Sequence, residues 1–100
     1  VIHIRTWLNY DIPMRREKHP TRPELPAYHN PNLNLWLVDR TGEGAGWTFY
    51  PEGLLWGTGS TPDNAFERLL ASLECEIHGP YPDPVRAQRA AELIADLETY

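Results

Sequence analysis

Cys75 and His78 stand three residues apart, close enough on a helix to offer two metal ligands from neighbouring turns. A metal centre needs more ligands than these, and His3, His19 and His29 fall in separate stretches without ligand-pair spacing. No metal ion is therefore expected. At about 100° per residue Cys75 points nearly opposite Phe66 and Leu73. Its thiol is then either on the surface or beneath another element, and neither place makes it a nucleophile without a nearby base. General acid–base chemistry requires carboxylates or histidines that converge in a cleft. Asp39 and Glu43 are the carboxylates placed to accompany His3 or His29, and nothing in their spacing makes them converge. A hydrolase or nuclease built on Asp39 is accordingly the last-ranked reading, and no catalytic residue or cofactor is assigned. Gly42, Gly44 and Gly46 alternate like part of a phosphate-cradling loop, but they join two strand-like runs with no helix following, which reads as a hairpin turn.

Two other sets of residues suit binding. Arg15, Arg16, Lys18, His19 and Arg22, with Trp7, Tyr10 and Tyr28 nearby, have the make-up of a basic patch with aromatic platforms for single-stranded nucleic acid, diluted by Glu17 and Glu24. Arg15, Arg16, Lys18 and Arg22 are the contact residues of that alternative. Pro23-Glu24-Leu25-Pro26 within it has the P-x-x-P form, which we read as accidental. The second set is acidic. Asp63, Glu67 and Glu74 fall on one flank of a helix, and Glu92 and Asp96 lie one turn apart on another. Exposed helices ordinarily carry such charges, yet together they would make a docking surface for a basic protein. Trp36 and Trp47 are expected in the core or half-core of a sheet, and Trp56, beside Gly57, at a contact surface. The partner-binding candidates are thus Trp56, Asp63, Glu67, Glu74, Glu92 and Asp96.

The elements that must position these residues follow from periodicity. Ile2, Ile4, Leu8 and Tyr10 alternate with His3, Arg5, Trp7 and Asn9, which predicts a half-buried strand over residues 2–10. Residues 11–32 carry five prolines and no period, and predict a long irregular segment. Leu33, Leu35 and Leu37 alternate with Asn34, Trp36 and Val38, and Trp47 to Tyr50 resumes the pattern after the glycine-rich stretch: a hairpin. Leu54 to Thr58 predicts a short third return. Thr61-Pro62-Asp63 is a helix start, combining a capping hydroxyl, a proline where its missing donor is harmless, and an acid at the positive end of the helix dipole. Phe66, Leu69, Leu70, Leu73 and Ile77 share the inner face of that helix, residues 62–78. Gly79-Pro80 ends it, and Asp83-Pro84 starts a second helix over residues 84–98 with an alanine-rich apolar arc.

With 100 residues and 41% hydrophobic content, the chain suits one soluble folded domain, residues 1–100. No apolar run approaches the ~20 residues of a membrane span, and the Val1 end lacks the pattern of a secretory signal. A single cysteine excludes an internal disulfide. These features predict a cytoplasmic protein without a membrane partner. Eight arginines against one lysine, with ten prolines, suggest the coding bias of a GC-rich bacterium or its phage. The net charge of −5 is uneven: residues 1–50 hold six basic and five acidic groups, residues 51–100 three and nine. That balance disfavours phosphate-driven nucleic-acid binding and favours a basic protein partner.

From Leu33 onward the hairpin is followed by Tyr50-Pro51-Glu52, a short strand-like run, and Gly59-Ser60-Thr61-Pro62-Asp63-Asn64-Ala65. In these features residues 33–78 resemble the HicB-like antitoxin domain. The resemblance implies a sheet with a helix across one face and a role in binding and neutralising an RNA-cleaving toxin. The whole reading is an α+β domain: a mainly antiparallel, three- to four-stranded sheet packed by helix 62–78, with helix 84–98 as a second. Its expected role is a non-enzymatic protein-binding module, antitoxin-like or a phage-encoded inhibitor of a host protein. An edge strand would also allow two copies to pair as a homodimer.

Overall fold

The computed structural model describes residues 4–6 as backbone and residues 12–99 in full. The chain runs β1 (Ile4–Thr6), β2 (Pro13–Arg16), β3 (Ala27–Asn30), β4 (Leu35–Arg40), β5 (Gly46–Pro51), β6 (Gly57–Gly59), α1 (Pro62–His78) and α2 (Pro84–Glu98). The strands form one antiparallel sheet in chain order, with β1 and β6 at its edges. This is the expected α+β class.

The main departure lies in residues 11–32, expected to be irregular, which hold β2 and β3. The prolines do not interrupt these strands because they sit at their ends: Pro13 opens β2, and Pro26 and Pro31 flank β3. Only the stretch between them, residues 17–26, is irregular. The sheet is consequently larger than the three or four strands expected. Of the strand predicted over residues 2–10, Ile4–Thr6 is observed, and the remainder lies outside the described residues. The return predicted at 54–58 is shifted to Gly57–Gly59, since Leu54 leaves the strand line to bury itself in the core.

Alternation sorts the sheet's two faces. Met14, Tyr28, Leu35, Leu37 and Phe49 face the helices and form the main core with Phe66, Leu69 and Leu73 of α1 and Ala90, Leu93 and Leu97 of α2. Phe49 and Phe66 meet edge to face at 5.7 Å. The opposite face carries a smaller cluster of Ala27, Trp36 and Val38, overlaid by Leu25 and Tyr50. His29 stacks on Trp36 at 4.1 Å, and His19 meets it edge-on at 4.8 Å.

Both helices start as their sequences dictate. The Thr61 hydroxyl accepts from the Asn64 amide at 3.1 Å, and the Asp83 carboxylate accepts from the Val85 and Arg86 amides. The second helix is tied to the first by a two-pronged bond from the Arg86 guanidinium to Glu76. Gly57 admits α1 to the sheet: a Cβ there would lie 2.1 Å from the Leu69 nitrogen. No helix among the described residues is long and apolar enough to cross a membrane.

Candidate partner-binding groove

After β5 the chain turns through Gly53, at φ +76°, and Leu54 plugs into the core. Anchoring Leu54 turns its successors outward. Leu55 is 40% exposed and Trp56 57%, a large apolar pair on the surface. Two polar contacts hold this segment against the helix layer. The Ser72 hydroxyl of α1 donates to the Trp56 carbonyl at 2.8 Å, and the Leu55 backbone hydrogen-bonds to the Glu76 carboxylate.

Between this segment and the outer face of α1 runs an open groove of about 590 Å³. One wall is Leu55 to Thr58; the other is built from Ala71, Ser72 and Cys75, small side chains that leave the helix surface low. Glu67 and Arg68 line the same wall, and neither makes an ion pair among the described residues. The Cys75 thiol is exposed there.

The six expected partner-binding residues divide between two surfaces. Trp56 and Glu67 meet in the groove. Asp63 is exposed one turn before Glu67, and Glu74 is exposed further along α1, its carboxylate 3.3 Å from His78 Nε2. Glu92 and Asp96 line a different cleft, of about 140 Å³, against the turn after β5, where Arg89 donates to the Glu52 carbonyl. Leu55, Thr58, Arg68 and Ala71 belong to the groove and escaped the sequence reading. Their signal was a Leu-Trp pair before a glycine, and helix positions spaced three and four apart away from the apolar face.

The basic residues of the alternative reading are dispersed. Arg15 and Arg16 are neighbours on β2 and project to opposite faces of the sheet. Arg15 shares a shallow hollow with His29, whereas the Arg16 guanidinium lies 5.2 Å above the Tyr28 ring and bonds to its hydroxyl. Tyr28 itself is buried. Arg22 is held between Glu24, at 2.7 Å, and Glu43, and its hydrogen bonds push both carboxyls below their usual range. Lys18 is exposed on the loop, and Trp7 and Tyr10 lie outside the described residues.

The groups considered for acid–base chemistry are also separated. Asp39 accepts from the Thr41 amide and hydroxyl, closing the turn after β4. Glu43 is taken by Arg22 and Arg40. His29 lies on the face of the sheet opposite Asp39; its Nδ1 is 2.6 Å from Glu17 and its Nε2 is buried without a hydrogen-bond partner among the described residues. His3 lies outside the described residues. Near Cys75, His78 turns to Glu74. Among the described residues no three histidine, cysteine or acidic side chains come together as a metal would require. No protein-family model matches the chain, and no curated protein or solved structure matches it significantly.

Proposed function

We propose that this domain is a non-catalytic protein-binding module whose contact surface is the groove between the Leu55–Thr58 segment and α1. The observation that carries the reading is Trp56, more than half exposed beside Leu55 at the mouth of that groove. Exposing a tryptophan forgoes its burial energy, and desolvated tryptophans in a partner's pocket are among the strongest contributors to protein association. Glu67 within the groove, with Asp63 and Glu74 along the same helix, favours a partner that is basic where it docks. An antitoxin-like domain or a phage-encoded inhibitor of a host protein fits this surface chemistry, since both act by covering a target. The nucleic-acid reading is weakened by the carboxylates around Arg22 and by the opposed directions of Arg15 and Arg16.

The test is affinity capture from the source cell with the whole chain, compared across surface variants. Trp56→Ala and Glu67→Lys are expected to lose the captured protein, and Glu92→Lys with Asp96→Lys to retain it. Salt should elute it progressively, as screening weakens the charge attraction. Capture that survives Trp56→Ala and is lost with Glu92→Lys would move the contact to the other surface. Capture of oligonucleotide abolished by Arg15→Ala would favour the nucleic-acid reading.

A further inference from the structure

We infer that the occupant of the groove is an extended segment of another protein, added as a further strand along the free edge of β6. The inference rests on the reading of the Trp56 groove as the contact surface and specifies what enters it.

Backbone directions identify the free groups. The Asp39 amide donates to the Pro26 carbonyl and the Glu52 amide to the Asn34 carbonyl, each in the register of its strand pair. In an antiparallel ladder, successive residues direct their N–H and C=O groups alternately to the two sides. Carried across the sheet, this alternation turns Thr48 toward Val38 of β4, and Trp47 and Phe49 toward Gly59 and Gly57 of β6. Thr58, between those glycines, therefore directs its N–H and C=O away from the sheet. Trp56, just before the strand, has its carbonyl taken by Ser72 of α1 and leaves Thr58 as the edge residue with both groups outward. An outward donor and acceptor on one edge residue is the arrangement that an added strand satisfies.

The side-chain environment prescribes the guest. Thr58 projects onto the face away from the helices, where its hydroxyl lies 3.3 Å from that of Thr48. A guest residue opposite Thr58 projects the same way, so the residues before and after it point toward α1, against Ala71 and Cys75. The guest should therefore carry apolar residues two apart. Charge selects a foreign chain over a second copy: this chain carries −5, with nine of its fourteen acids in residues 51–100. Edge-to-edge pairing of two copies would bring two sets of Asp63, Glu67 and Glu74 to one junction with only one Arg68 from each copy to offset them, whereas a Lys or Arg flanking a guest strand would be drawn to the acids.

The test is selection of random ten-residue peptides, displayed on phage, against the whole chain, followed by amide exchange with the enriched peptide made synthetically. Strand addition predicts apolar residues at a spacing of two with a flanking Lys or Arg, and exchange at Thr58 slowed about tenfold or more. Methylating the peptide nitrogen opposite Thr58, which leaves the protein untouched, should weaken binding about tenfold or more. Peptides with helical spacing, indifference to that methylation, an unchanged Thr58 amide, or no enriched peptide would each overturn strand addition. A peptide that shifts the Trp56 resonance without protecting Thr58 overturns the strand and leaves the groove standing. A peptide that binds Trp56→Ala undiminished overturns the groove itself.

Discussion

Trp56 and Gly57 are adjacent and have opposite requirements. The Trp56 side chain contributes to the surface and little to the interior, so Trp56→Ala should change unfolding free energy by less than about 1 kcal/mol in denaturant titration while abolishing partner capture. Gly57 has no room for a methyl group beside the Leu69 backbone. Gly57→Ala must push α1 off β6 and should cost roughly 1–3 kcal/mol by the same measurement, or more if the helix cannot shift. A neutral Gly57→Ala would show that the helix does not rest on the edge strand. His29 illustrates how local surroundings build a titratable side chain into a packed layer. With one nitrogen on Glu17, the other sealed, and its ring on Trp36, it is part of a packed layer.

At the scale of elements, α1 joins the core to the groove. Its Leu73 is fully buried and Leu70 only partly, although both lie on the predicted apolar face. Leu73→Ala should therefore cost about 2–5 kcal/mol and Leu70→Ala less, as urea melts of the two variants would show. The bond from Arg86 is the chief cause holding the Glu76 carboxyl below its ordinary value of 4.5. A carboxyl depressed on folding stabilises the fold above that ordinary value, and the contribution disappears as pH falls through the lower, folded value. Glu76→Gln should thus lower Tm by a constant amount at neutral pH, with the difference from the parent shrinking below about pH 4.5. A difference that widens in acid would contradict the pairing. Both helices were legible in the sequence because Thr61-Pro62 and Asp83-Pro84 mark their starts locally. The β4–β5 hairpin was legible because alternation is also local. β2 and β3 were not, since their few residues sit among prolines and become strands only through partners far along the chain. The groove was half legible: Trp56 and Glu67 showed as types, but their meeting depends on α1 crossing β6, which no spacing records.

On the scale of the molecule, the two faces of the sheet divide the work. The helix side holds the main core and, at its margin, the groove; the other side is a half-exposed layer in which His19, His29 and Tyr50 pack around the buried Trp36. The acidic excess of residues 51–100 lies in the same half of the chain as the groove, so encounter with a basic partner should slow as ionic strength rises. Action through the groove can be probed at the groove itself because Cys75, the sole cysteine, lines it and is exposed. A benzophenone maleimide on Cys75, illuminated in an extract of the source cell, should give one dominant protein adduct. Excess unlabelled chain should compete it away, and excess Trp56→Ala chain should not. If the adduct forms instead from a Cys75→Ser, Asp96→Cys variant labelled in the other cleft, and not from Cys75, the domain meets its partner elsewhere.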